Sequence, residues 1–411
     1  MIISTNNRYI VSSLVTGIFF SFLLITGSSY KFAATPLVLV ALFSLPWTLR
    51  HKSSPQIKAA TCALLGYFLV TVLSLVVHGG DLGQLDMPTR VIFAAIIMLF
   101  IANIPPHIKV VFYSICLGSS IAGVLAIYHY MTVGERAFFG NGYMVIQAGG
   151  IAASLATLSI VALIYAKSAK NKLLVAISTI GATLGLSATL LSGARGAWVL
   201  TPFIVIFLFY IYRGYFSQRS KTLAIFATMA IMFFSYPTVE PRVNSMFSEL
   251  HEYRKNDVNT SSGIRLELWK SATYSAIDKP IFGQGFDGIE HAKREQISKG
   301  LVDKRVLGST RAHNQFFEEL QAKGLIGLIT ILGFFGLPLY LLLEKARSSL
   351  TKDSHYFFAV AGIVHITSVI GFCLTQHFLA HHSGILFYSI GTAIFFGGAY
   401  SKNNNSEGSS S

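Results

Sequence analysis

Met144 to Ala166 reads MVIQAGGIAASLATLSIVALIYA, twenty-three residues without a charge. A helix of that length rises about 34 Å, enough to cross a hydrocarbon core of ~30 Å. Similar runs stand on both sides of it, near residues 9–28, 33–49, 59–78, 89–104, 108–132, 173–192, 197–216, 222–236, 323–343, 356–376 and 381–400. The whole chain of 411 residues is 53% apolar and 12% charged, about half the roughly 25% charge of a soluble domain. Its mean hydropathy is +0.57. A soluble globule is excluded, and the pattern predicts an all-α integral membrane protein of about twelve transmembrane helices. Cys62, Cys116 and Cys373 all lie in apolar runs, so no disulfide framework or CxxC metal site is expected. The run after Arg8 has no small-residue cleavage site and reads as a first span, not a removable signal peptide.

With the N-terminus inside, the cytoplasmic segments hold fifteen Lys and Arg residues and the short outer segments five: Lys31, Arg90, Arg136, Arg195 and Lys323. The positive-inside rule selects this orientation and puts both termini in the cytoplasm. The expected organisation is helices one to nine over 1–236, a long polar insertion over 237–322 on the outer face, helices ten to twelve over 323–400, and a polar, disordered tail over 401–411. The insertion contains twelve of the eighteen acids and twelve of the thirty-two cations, so the net +14 lies elsewhere. That excess matches anionic lipid at the inner leaflet and gives no reason to invoke nucleic acid.

Three places on the outer face combine an ionisable group with a helix boundary. Arg195 lies in Leu191-Ser192-Gly193-Ala194-Arg195-Gly196-Ala197, a two-glycine break between apolar runs where an arginine is costly without a partner and where small neighbours would clear space for a ligand. After the break at Asn259 to Gly263 a helix capped by Ser262 is expected, with Ile264, Leu268, Ala272 and Ala276 as its apolar face and Arg265 off that face. His313 follows Ser309 and Thr310, either of which can cap a helix, and so falls in a first turn where the helix dipole keeps imidazole neutral. Glu319, deeper in that helix, is a fallback base. Arg90 is a similar outer-face cation with Asp86 or Asp81 as a structural partner. His377, His381 and His382 have metal-like spacing but no nearby fourth ligand, so a wet histidine turn is expected. Gly283-Gln284-Gly285-Phe286-Asp287-Gly288 spells GxGxxG without a βα context, and reads as a turn that brings backbone close to a neighbour.

P-loop, GxSxG, HExxH and DxD patterns are absent. Arginines with a neutral histidine at an outer membrane boundary suit a lipid-linked donor with a pyrophosphate leaving group, because guanidinium forks match phosphate oxygens in pairs.

Three stretches in order, Ser192-Gly193-Ala194-Arg195-Gly196, then Gly263-Ile264-Arg265-Leu266 with Lys279-Pro280-Ile281-Phe282-Gly283-Gln284-Gly285-Phe286, then Ala312-His313-Asn314-Gln315-Phe316 with Lys323-Gly324-Leu325-Ile326-Gly327, resemble the bacterial O-antigen ligase family and its polymerase relatives. The resemblance implies a GT-C-type glycosyltransferase of the bacterial inner membrane, active on the periplasmic face without metal or cofactor. It would move O-antigen polysaccharide from undecaprenyl pyrophosphate to the lipid A-core, its substrates and membrane lipids being its partners. Carried over, Arg195 and Arg265 clamp the pyrophosphate and His313 is the base, with Arg90, Arg311 and Asn314 as substrate-binding residues. An O-antigen polymerase and a protein O-oligosaccharyltransferase are the alternatives within the superfamily. A transporter or flippase is the alternative outside it, and that would call for ionisable residues at mid-span and an inverted repeat, neither of which the chain displays.

The cation asymmetry makes a first prediction. Periplasm-active reporter fusions at Asn259 should be active, and fusions at Lys170 and Ser349 inactive; the reverse pattern would put the insertion in the cytoplasm.

Overall fold

The computed structural model describes residues 5–134, 136–140, 142–255 and 258–402; the tail expected to be disordered lies outside them from residue 403 onward. Fourteen α-helices are described: α1 (Thr5–Phe22), α2 (Ser29–Thr48), α3 (Pro55–His78), α4 (Asp86–Asn103), α5 (Ile108–Val133), α6 (Val145–Ser168), α7 (Lys172–Leu191), α8 (Arg195–Ile211), α9 (Gln218–Arg254), α10 (Ser261–Asp278), α11 (Gly288–Ser298), α12 (Gln315–Ser348), α13 (Ser354–Cys373) and α14 (His382–Ala399). No strand occurs among the described residues. Among the described residues, eight helices are long and apolar enough to cross a membrane: α2 to α7, α12 and α13. The other four expected spans fall on α1, α8, α9 and α14, of which α8 is apolar but only 17 residues long.

Within the membrane the chain packs by close approach. The hydrophobic effect does not drive one apolar helix onto another in lipid, so small residues at the contacts have to supply the packing. α6 is the central helix, with 94% of its apolar window buried; α14, buried throughout from Gly384 to Ala399, and α13, at 83%, follow. Gly149 of α6 leaves no room for a side chain against Ser192, and Gly185 of α7 leaves none against Ser119. In α14, an added Cβ at Gly398 would stand 2.6 Å from the Phe358 ring.

The loop ends separate into two sets. Tyr212 and Tyr356 meet hydroxyl to hydroxyl at 2.5 Å, Ser12 donates to the Ile104 carbonyl at 2.7 Å, and Lys402 N–H donates to the Ala102 carbonyl at 3.2 Å. Both described chain ends therefore lie at one end of the bundle. At the other end gather the α7–α8 turn, the insertion and the α13–α14 turn, joined by contacts described below.

Two features of the insertion differ from the expected layout. The ninth expected span, near 222–236, does not end there but continues into the insertion as one α9 of 37 residues, with Pro237 and Pro241 inside. And α12 begins eight residues before the apolar run and is interrupted at Gly324 (φ 64°, ψ −154°). At that interruption the 280–286 turn docks backbone to backbone: Gln284 and Gly285 N–H donate to the Gln321 and Ala322 carbonyls at 2.9 Å each, and Leu325 N–H donates to Pro280 at 2.8 Å. The GxGxxG stretch is thus a turn packed against a neighbour, as expected, and that neighbour is the segment from Gln321 to Ile326.

Beside this junction Lys323 Nζ and Glu319 pair at 2.8 Å with side chains only 2% and 3% exposed. Tyr67 of α3 donates its hydroxyl to Glu319 at 2.8 Å, Lys323 donates to Thr71 at 2.8 Å, and Gln315 donates to Glu319 at 2.8 Å. The pair fastens α3 to the first turns of α12. Removing one partner of such a buried pair strands the other charge, at a cost of about 3–5 kcal/mol.

Gly324 should be irreplaceable. A Cβ there would stand 2.5 Å from the Ile281 carbonyl in a left-handed backbone, so Gly324→Ala should cost more than the ~1–2 kcal/mol that left-handed geometry alone imposes. Gly336→Ala, on the same helix with no atom within 4 Å of the added carbon, should leave stability unchanged or raise it. Thermal unfolding of the purified variants in detergent tests the contrast.

Candidate functional site

α7 ends at Leu191, residues 192–194 turn with Gly193 in the left-handed region (φ 63°), and Arg195 opens α8. The small residues around Arg195 seat protein on protein: Gly149 is pressed against Ser192, and Gly196 against Thr375. The expectation that they clear space for a ligand is corrected, since close helix packing uses that space. Arg195 Nη2 lies 3.6 Å from Glu249 Oε1, with the arginine side chain 27% exposed. Glu249 comes from the far part of α9 and also accepts from the Ser262 hydroxyl at 2.5 Å and the Ser262 N–H at 3.0 Å. Burial alone would raise the Glu249 pKa; the Ser262 hydrogen bonds and Arg195 outweigh it and hold the carboxyl below its ordinary value.

Thr260, not Ser262, caps α10, accepting from Gly263 N–H at 3.0 Å. Ser262 is thereby free to hold Glu249. Leu268 and Ala272 are fully buried, and Arg265 projects away from them to a half-buried position. Its guanidinium is pushed down from its ordinary pKa by burial and then by Arg195, while Glu249 opposes the shift. Two guanidinium groups therefore share one carboxylate. Such a pair has positive charge to spare for an anion.

His313 lies before α12, not in its first turn. Asn314 is the cap, its side chain accepting from Phe316 and Phe317 N–H at 2.9 and 3.3 Å, and His313 adopts a left-handed backbone (φ 52°). The imidazole is still held neutral, because burial lowers its pKa first; the Gln376 hydrogen bond opposes this, and Arg265 lowers it further. Gln376 Oε1 sits 3.1 Å from Nδ1. An amide oxygen only accepts, so Nδ1 holds the proton and Nε2 the lone pair. Nε2 faces Ser309 Oγ at 3.4 Å, while that hydroxyl donates to the Arg311 carbonyl at 2.9 Å. The basic nitrogen is left available.

The strained turn is held by Glu318, only 2% exposed, which accepts from Ala312 N–H at 2.8 Å and Arg311 Nη1 at 2.8 Å. Arg311 is thus ion-paired beside His313. Asn314, besides capping, donates to the Leu374 carbonyl at 2.9 Å. Its side chain is committed to joining α12 to α13. Arg90 stands elsewhere, paired with Asp86 at 3.0 Å on the first turn of α4. Glu319, expected as the fallback base, is tied to Lys323 and Tyr67.

In the 377–382 turn His377 is enclosed, while His381 and His382 are half-exposed. His377 is buried, its ring 5.1 Å from that of His313 and 5.0 Å from that of His381. Burial takes the His377 pKa down to about 3 and that of His381 to about 4, the neighbouring cations adding to the shift. The turn is a neutral, packed wall behind His313. Among the described residues no three His, Cys, Asp or Glu side chains form a metal-ligating group.

On the other side of Ser309 opens a cavity of about 440 Å³, lined by Tyr67, Phe286, Lys293, Ser309, Arg311, Glu318, Glu319 and Lys323 among others. Lys293, buried, donates to the Ser309 carbonyl at 2.6 Å. Burial lowers its pKa, which Glu318 and Glu290 oppose. Hydroxyl-rich ligands suit such a lining, because each cation already has a partner and the polar groups are closely interleaved.

Sequence reasoning did not reach Gln376 or Glu249, and it gave Glu318, beside Glu319, no role. Gln376→Glu should raise the His313 pKa, since a carboxylate stabilises the imidazolium, and move the acidic edge of the pH–activity profile upward; Gln376→Ala should remove that orientation without raising the pKa. Histidine NMR titration and the rate profile read the two effects.

Comparison with known proteins matches residues 180–332 to the family model described as O-Antigen ligase. An uncharacterized protein of Haemophilus influenzae is 28% identical over 384 residues, covering 92% of this chain and 95% of the relative. The family match spans Arg195, Arg265 and His313. Residues 180–332 are thus similar to the O-antigen ligase family, and that match supports placing this part of the chain in the O-antigen ligase superfamily.

Proposed function

We propose that this protein is an O-antigen ligase that transfers O-antigen polysaccharide from undecaprenyl pyrophosphate to the lipid A-core, with inversion, at the periplasmic face of the inner membrane. The observation that supports this reading best is the meeting of Arg195, Arg265 and a neutral His313, drawn from three parts of the chain, at one end of the helix bundle. His313 Nε2 takes the proton of the acceptor hydroxyl as its oxygen attacks the anomeric carbon. The bond from that carbon to the pyrophosphate oxygen breaks, and the leaving group departs with the electron pair. Arg195 and Arg265 meet the growing charge with planar pairs of donors. The carboxylates nearby are each spent on a protein partner, Glu249 on Arg195 and Ser262, Glu318 on Arg311, Glu319 on Lys323. The charge of the leaving group is therefore assigned to guanidinium and not to a carboxylate-bound metal.

The test uses purified protein with lipid-linked donor and lipid A-core acceptor. His313→Gln should be made and should bind donor, yet transfer roughly 10²- to 10⁴-fold more slowly. Arg195→Ala and Arg265→Ala should each lose about 10²- to 10³-fold, with lysine restoring little because it offers a point charge without the fork. An active His313→Gln, or near-normal lysine variants, would reduce these groups to structural roles. Rates in the wild type should be flat near neutrality and fall below an apparent pKa under the ordinary histidine value of about 6.5, since the proton-accepting form is lost there. In a deletion strain, loss of all long chains from lipid A with accumulation of lipid-linked polymer reads as ligase; single-repeat capping reads as polymerase.

A further inference from the structure

A second opening, about 340 Å³, lies between α2 and α4 beside α14. Its mouth holds Lys31, the third residue of α2, and Arg90, the fifth of α4. Asp86 pairs with Arg90 at 3.0 Å, and His382 stands 3.7 Å from the same carboxylate. Lys31 makes no ion pair among the described residues. Two fixed cations thus face one carboxylate. Three helices, α2, α4 and α14, start at this mouth, and each start adds partial positive charge from its free N–H groups. Below it the lining turns apolar: Ala34, Val38, Leu39, Phe93 and Leu386. Leu39 lies eight residues beyond Lys31, about 12 Å along the helix, and is 47% exposed.

A cationic mouth over an apolar trough at a membrane boundary fits a lipid phosphate. Free phosphate would use the mouth and leave the trough empty. What lies across the α4 start chooses between lipids. Asp86, Thr89 and Arg90 line the trough, whereas Met87 and Pro88, on the other flank of the same helical turn, line the 440 Å³ cavity that reaches Ser309. A saccharide attached to a phosphate at Arg90 passes over that turn into the hydroxyl-binding cavity, and Ser309 Oγ is 3.4 Å from His313 Nε2. A simple phospholipid headgroup would leave the cavity unfilled.

We infer that the α2–α4 cleft binds the phosphate and an acyl chain of a phosphorylated glycolipid acceptor, whose sugars occupy the cavity beside His313. Arg90 then serves the acceptor, while Arg195 and Arg265 serve the donor. The inference rests on the ligase reading for the acceptor's role, and its test is a binding measurement that needs no transfer.

Purified protein is titrated with diphosphoryl lipid A-core, its dephosphorylated form, phosphatidylglycerol and inorganic phosphate, with native mass spectrometry as readout. Wild type should bind the diphosphoryl glycolipid, and Lys31→Ala/Arg90→Ala should bind it roughly tenfold or more weakly while binding lipid-linked donor as before. Leu39→Trp, which fills the trough without touching either cation at a position already half exposed, should weaken the same ligand alone. Melting temperatures verify that the variants are folded. Unchanged glycolipid binding in folded variants, equal binding of the dephosphorylated form or of phosphatidylglycerol, or displacement by inorganic phosphate at matched concentration would overturn the inference. Glycolipid bound at the cleft by a protein that transfers nothing would instead overturn the ligase reading and leave the site standing.

Discussion

Two carboxylates buried side by side at the start of α12 impose the constraint on which this end of the molecule depends. A buried carboxylate must find partners or lose its charge, and Glu318 and Glu319 solve this in opposite directions. Glu318 draws the preceding chain back onto the helix through Arg311 and Ala312 N–H. Glu319 draws α3 in through Tyr67 and Lys323. His313 sits on the first of these loops, and its left-handed backbone is the geometric result of the chain reversing toward Glu318. Its neutrality comes from the burial that follows, with the packed His377 and His381 rings behind it and Arg265 in front.

Arg195 and Arg265 reach the same place by a different route. Each is set at the start of a helix, where the chain enters from a turn, and each faces Glu249 from α9. A single carboxylate pairs with Arg195 and only attracts Arg265, so it does not neutralise both. The superfamily match covers all three groups, and the order of the elements that bear them is α8, α10 and the loop before α12.

Much of this could be read from residues. Uncharged runs of membrane-spanning length located the helices, the apolar stripe of Leu268 and Ala272 set Arg265 to one side, and the absence of a βα context gave the GxGxxG turn its structural reading. What escaped was decided at long range. Ser309, Thr310 and Asn314 can all cap a helix, and local pattern offers no choice among them; the Leu374 carbonyl, sixty residues away in the chain, decides for Asn314. Gln376 has no signal at all, because a polar residue after an apolar run is ordinary. Glu249 lies in the polar insertion, and its continuity with the span before it, as one helix across two prolines, was not legible.

Those prolines give α9 a mechanical character. Each removes a backbone hydrogen bond from the helix, so the rod is weakest at Pro237 and Pro241, where it follows the apolar run. Glu249 stands twelve residues past Pro237, about 18 Å along the axis, and a bend of about ten degrees at that point would swing it by roughly 3 Å. That is comparable to its 3.6 Å separation from Arg195. The carboxylate that balances the arginines is thus mounted on an arm whose weakest point lies between it and the apolar run, so a bend at the prolines changes the charge that the arginines present.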